Sequence, residues 1–245
     1  FQPVSSEKLS NNVPKHLRST DNLWYGLSMR ARTIIYSKER VAPEELSTYE
    51  ELANPKWAQR LCIRSSGNIY NQSLVASLLA NNGTVATEKW LKGITSNFAR
   101  KPQGGDRDQV MAVAAGGCDI AVINTYYLGG MLKSSNESQQ EAAMKVDVFW
   151  PNQVGRGAHV NISGAGITKA SQSPENAKKL LEFLTSPNSQ RWYAEINNEY
   201  PVDPKVEASQ ILKNWGDFKS DSLPVDTLGK LNREAVKSMD KAGWP

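Results

Sequence analysis

The sequence predicts an α/β fold in which helices cover a parallel sheet, and three observations carry that expectation. Short apolar runs, Leu61-Cys62-Ile63 and Cys118 to Val122, alternate with longer helical patterns between them. Glycine-containing breaks at Asn81-Asn82-Gly83, Gln103-Gly104-Gly105 and Gly116-Gly117 separate those patterns. At 245 residues the chain is long enough for substantial cores, in one large domain or two smaller ones.

The most informative stretch is the run from Ile123 to Leu128. It follows the Cys118 to Val122 strand, and Asn124 reads as the N-cap of a helix, so Tyr126 and Tyr127 stand at the carboxyl end of a strand. Ligands bind there in open α/β sheets. A tyrosine pair also serves as half-buried packing, and the pair alone does not separate the two roles. A second stretch repeats the arrangement: Leu61-Cys62-Ile63, a polar turn, then Tyr70 opening a helix over residues 71–80. Cys62 to Tyr70 and Cys118 to Tyr126 both span eight positions, which places two strands of matching anatomy side by side.

These motifs, Ile69-Tyr70-Asn71-Gln72-Ser73-Leu74 and Asn124-Thr125-Tyr126-Tyr127, resemble the periplasmic ferric-iron-binding proteins of ABC importers, cyanobacterial and Campylobacter-like members above all. Further similarity runs through Trp24 to Tyr36, Cys62 to Leu79 and Arg156 to Ile167. The resemblance implies that Tyr70, Tyr126 and Tyr127 bind Fe(III) as phenolates. Chemistry gives an independent reason for the residue type: Fe(III) prefers anionic oxygen, and a phenol of pKa about 10 becomes such a ligand when a metal displaces its proton. Three phenolates balance one ferric ion.

The remaining elements follow in order. Phe1 to Thr20 is polar and begins like the middle of a domain; beside the family the chain reads as lacking an N-terminal segment, with part of one lobe and further iron ligands, and its signal peptide. Leu23 to Tyr36 is strand-like, and the resemblance makes it a crossing strand between lobes. Arg30 and Arg32 share a face of it, either as solvated surface or as candidates for holding a companion anion or balancing charge. Ala42 to Ala53 reads as a short helix after Pro43, stopped by Asn54-Pro55, with Trp57 as a packing anchor. Thr87 to Asn97 is another helix, and Asp106 is the N-cap of a helix over 107–115.

Ser134 to Gln140 is a polar loop or helix end, Val146 to Trp150 a strand, and Arg156 to Ile167 the return crossing strand. His159 within it reads as a structural residue rather than a ligand. Pro174 to Thr185 is an amphipathic helix behind Ser173, and the next helix carries Trp192, Tyr193 and Ile196, its aromatics as core. Trp215 through Val236 supplies terminal helices.

Cys62 and Cys118 lack zinc spacing and are either buried thiols or one disulfide, which the matching strands and a periplasmic home favour. The 29 basic and 25 acidic residues give a net charge of +4, with no basic run to suggest nucleic acid or membrane as partner. No apolar stretch is long enough to span a membrane. Neither HExxH, GxSxG nor a nucleotide-binding glycine motif is present.

The sequence therefore predicts a type II periplasmic-binding-protein fold with a partial first lobe (1–33 and 157–208) and a second lobe (34–156 and 209–245). The function implied is that of a monomeric, non-enzymatic binding protein, which captures Fe(III), with or without a companion anion, and delivers it to an inner-membrane permease. The alternatives are a binding protein for an oxyanion or small organic ligand, and an enzyme using a tyrosine as acid or base.

Overall fold

The computed structural model describes all residues, 1–245. The chain forms two compact units: residues 1–30, 160–217 and 222–226 make the first, and residues 31–159, 218–221 and 227–245 the second.

The first unit contains helix α1 (Glu7–Asn12), the leading half of strand β1 (Tyr25–Ser37) and strand β5 (Val160–Ala165), which pairs with β1. Helices α6 (Pro174–Leu184), α7 (Pro187–Trp192) and α8 (Gln210–Lys213) complete it. The buried Gln190 amide ties them to β1: its nitrogen donates to Leu27 O at 2.7 Å and to Leu184 O at 2.9 Å, while its oxygen accepts from Val202 N at 2.8 Å. The expectation that the α7 aromatics form core is overturned. Trp192 and Ile196 are 56% and 60% exposed, and Phe183, Leu184, Trp192 and Tyr193 line an open apolar cleft. Helix α7 has only six residues before the chain widens into a π turn, Tyr193–Asn197. That turn ends at Asn198, in a left-handed conformation with φ 55°.

The second unit is built on a sheet in which β2 (Leu61–Cys62), β3 (Ile120–Asn124), the second half of β1 and β4 (Val146–Phe149) lie in that order. The sheet is mixed, not parallel as expected. Only β2 and β3 run parallel, with Leu61 opposite Ile120, whereas β1 pairs antiparallel with both β3 and β4. The strand, helix, strand succession determines the relation of β2 to β3 but says nothing of the strand inserted beside them. All five residues of β3 are buried, matching its unbroken apolar and β-branched character.

Helix α2 (Ile69–Ser96) is interrupted at Gly83, where φ is 76° and ψ 169°. That break corresponds to the punctuation read at Asn81-Asn82-Gly83, since a left-handed φ suits only glycine at low cost. Helix α3 (Asp106–Ala114) is capped by Gly105 rather than Asp106, because the Asp108 carboxylate accepts from Gly105 N at 2.6 Å. Helices α4 (Thr125–Leu132), α5 (Glu137–Met144) and α9 (Val225–Lys241) complete the elements. The polar segment from Ser134 turns into α5 because Asn136 caps it, accepting from Gln139 N at 3.3 Å.

The helix expected over 42–53 is instead a series of 3-10 turns, Pro43–Glu45, Glu50–Ala53 and Pro55–Trp57. Side chains take the backbone donors a continuous helix would need: Thr48 Oγ1 accepts from Glu51 N at 3.2 Å and Asn152 Oδ1 from Tyr49 N at 3.0 Å. Trp57 is fully buried, with the Arg60 guanidinium 4.8 Å from its ring centre.

Cys62 and Cys118 form a disulfide with their Cα atoms 5.9 Å apart. The bridge does not join register partners, since Cys62 lies opposite Ala121 and Cys118 precedes β3. In the chain-entropy account a loop of 56 residues contributes about 4 kcal/mol by restricting the unfolded chain. Replacing both cysteines by serine is expected to lower the urea-unfolding free energy by that order, with the folded circular dichroism spectrum retained.

Candidate metal centre

Two parallel strands deliver the tyrosines by the same device. Beyond β2, Asn68 caps α2 by accepting from Tyr70 N at 3.2 Å and Asn71 N at 3.4 Å. Beyond β3, Asn124 occupies the N-cap position of α4 without a side-chain capping bond to the helix, its backbone N donating instead to Asp106 Oδ2 at 2.7 Å. Tyr70 and Tyr126 are each the second residue of their helix, so two phenols project from adjacent helix N-termini at the carboxyl ends of adjacent strands. Their hydroxyls are 3.2 Å apart. Tyr127 lies against Tyr126, with ring centres 4.1 Å apart. All three side chains are half-buried.

Burial, first, and then hydrogen bonding to Tyr127 and Tyr70 push the Tyr126 phenol well above its ordinary value. Its protonated form is favoured further because neighbouring phenolates in a desolvated site repel each other. A trivalent cation reverses that preference. Guanidinium groups stand beside the rings: Arg32 and Arg64 lie 5.9 Å from the Tyr70 ring centre, and Arg107 5.3 Å from that of Tyr127. Among all residues, no group of three histidine, cysteine, aspartate or glutamate side chains is arranged to hold a metal. The phenols are the anionic-oxygen donors gathered in the second unit.

Arg32 is not a surface charge. It is fully buried, with one terminal nitrogen donating to Asp106 Oδ2 at 2.9 Å and the other to Asn71 Oδ1 at 2.6 Å. Asp106 accepts in turn from Asn124 N at 2.7 Å and lies 3.5 Å from Arg64 Nη1. Asn71 donates to the carbonyls of Arg64 and Ser65 at 2.8 and 3.1 Å. Arg30 belongs to the first unit, where it donates to Ser163 Oγ at 2.6 Å and lies 3.7 Å from Glu199. The two arginines thus serve different surroundings.

Asp106, Asn71, Arg64 and Arg107 did not stand out in the sequence as parts of one constellation. The available signal was position: Arg64 lies in the polar turn that delivers Tyr70, and Asp106 opens the helix feeding β3. His159 is buried and lies 2.7 Å from Ser73 Oγ through Nε2, while its backbone N donates to Tyr49 Oη at 3.0 Å. Burial first, then the charges of Arg32 and Arg156, hold its imidazole down at about 3.

The sequence matches the family of bacterial extracellular solute-binding proteins over residues 1–218. The Iron uptake protein A1 of Synechocystis is 51% identical over 244 residues, covering 100% of this chain and 68% of that protein. A solved Trichodesmium FutA (IdiA), in complex with iron and citrate, superposes with a TM-score of 0.98 at 52% identity, covering 100% of this chain and 77% of that one. The ferric binding protein of Campylobacter jejuni gives a TM-score of 0.94 at 39% identity, covering 100% and 78%.

The chain therefore belongs to the bacterial extracellular solute-binding protein family. Its similarity within that family runs to iron-uptake and ferric-binding members. The type II periplasmic-binding-protein fold is the fold of those structures, relative to which this chain is partial. No helix is long and apolar enough to cross a membrane.

The neutral buried state of His159 has a measurable consequence. Unfolded, the imidazole takes a proton near pH 6.5; folded, it does so only near pH 3. Its contribution to stability is therefore complete above about pH 6.5 and declines as pH falls from there towards the folded value. Urea-unfolding midpoints of the wild-type chain are expected to fall between pH 7 and pH 4, with a shallower slope in His159→Gln.

Proposed function

We propose that this chain captures ferric iron through the phenolates of Tyr70, Tyr126 and Tyr127 and serves as the periplasmic binding component of an ABC importer. The observation that carries the reading is the meeting of three phenols at two helix N-termini, with hydroxyls at hydrogen-bond distance and guanidinium groups beside the rings. Three phenolates neutralise one Fe(III), and helix N-termini favour the anionic form of each ligand. The role is carriage rather than catalysis. The relatives' names support it, one being an iron uptake protein and another a FutA holding iron and citrate.

Delivery requires a permease in the inner membrane, and the protein itself acts as a monomer. Water or a companion anion completes the coordination of the ion. The exposed Arg107, beside Tyr127, supplies positive charge near such an anion. Arg32 contributes charge only from within its buried pair with Asp106.

Because each phenol loses a proton to bind, loading weakens as pH falls. Titrating the chain with ferric nitrilotriacetate is expected to produce a saturable visible phenolate-to-iron band at one iron per chain, weaker in Tyr126→Phe and Tyr127→Phe and declining from pH 8 to pH 5. A wild-type chain that develops no band would remove the proposal and favour a metal-independent ligand.

A further inference from the structure

We infer that the buried Arg32–Asp106 ion pair is a positioning element for the tyrosine site, setting the separation of the Tyr70 and Tyr126 hydroxyls from beneath. This inference rests on the iron-binding reading of the site.

The two phenols come from different helices, and β2 and β3 share only a short parallel register, Leu61 with Ile120 and Cys62 with Ala121. Between that register and Tyr70 the chain runs through a polar turn. Backbone pairing alone therefore leaves the α2 N-terminus free to move against that of α4. The network under the tyrosines supplies the missing constraint. Arg32 holds the α2 N-terminus through Asn71, the residue adjoining Tyr70, at 2.6 Å. It holds Asp106 at 2.9 Å, and Asp106 holds the α4 N-cap through Asn124 N at 2.7 Å. One guanidinium thus connects the residue next to Tyr70 with the N-cap residue two positions before Tyr126 through three short links.

Position on the strand makes Arg32 suited to this task. Residues 32 and 124 are register partners of the antiparallel β1–β3 pair, so the arginine backbone is fixed directly beside the α4 N-cap. The Tyr49 hydroxyl donates to Arg32 O, and Arg32 N donates to His159 O at 2.9 Å, which secures the same residue from its other edge. Both side chains of the ion pair are inaccessible to solvent, and the links are charge-assisted, so the geometry is stiff. Arginine is required because the two partners are approached by separate terminal nitrogens, a fork that an ammonium group lacks. The Arg32–Asp106 pair is itself neutral, and Arg64, 3.5 Å from the same carboxylate, adds one positive charge to the group.

Residues that orient metal ligands typically change affinity by about 10–100-fold when replaced. The test uses the full 245-residue chain, ferric nitrilotriacetate as iron source and citrate as competitor. Arg32→Lys keeps the charge and removes the fork, and the double variant Arg32→Met with Asp106→Leu removes both charges without stranding either. Both are first shown to fold, by circular dichroism and by retention of the Cys62–Cys118 disulfide. The expected result in each is iron affinity lower by about 10-fold or more, a visible band of reduced intensity per bound iron, and fewer protons released per iron as one phenol drops out of coordination.

A protein that is merely less stable would show the wild-type band and proton count on its folded fraction. Folded variants with wild-type affinity, band and proton release would overturn the inference while leaving iron binding intact. No band in the unsubstituted chain would overturn the iron reading and this inference together. If both variants fail to fold, Asn71→Ala interrupts the link at its Tyr70 end without touching either charge, and unchanged iron binding there would overturn the inference.

Discussion

The fully buried contact between Arg32 and Asp106 is the constraint on which the second unit's geometry turns. A charge removed from water is costly unless it is paired and hydrogen-bonded, and breaking such a pair by deleting one partner typically costs about 3–5 kcal/mol. Here each partner has a second engagement: Arg32 with Asn71, Asp106 with Asn124 N and with Arg64. The ion pair consequently joins strand β1 to the starts of α2, α3 and α4. Those are the elements whose ends form the tyrosine cluster or lie directly beside it.

Above this ion pair the chemistry of the site is set by a balance of desolvation and charge. Burial, and then hydrogen bonding to Tyr127 and Tyr70, hold the Tyr126 phenol well above its ordinary value. Guanidinium groups stand at the rings of Tyr70 and Tyr127. Neither influence alone yields a trianionic cluster. In the ferric site proposed above a small trivalent cation would yield one, because its attraction for several phenolates at once exceeds the repulsion among them.

The tyrosine positions were readable because each opens a helix just after a short apolar run, a local pattern that the fold keeps. Their foundation was not. Alternation along β1 places Arg30 and Arg32 on one face, but burial depends on what packs over that face, and the two residues have different partners. Asp106 read as an N-cap because local propensity was the only guide; its role arises from a contact with a residue 74 positions away. The mixed sheet escaped for the same reason, since strand order is a property of the assembled fold. Trp192 looked like core by composition, yet it is the last residue of a six-residue helix and stands 56% exposed.

Resonance Raman spectroscopy of the iron-loaded chain, excited within the visible band, tests phenolate ligation most directly. Ligation by Tyr70, Tyr126 and Tyr127 predicts enhanced tyrosinate ring modes that shift when the protein carries ring-deuterated tyrosine and weaken when any one of the three is replaced by phenylalanine. Stoichiometrically bound iron without tyrosinate modes would contradict it, because the cation would then be held by groups other than the phenols at the two helix N-termini.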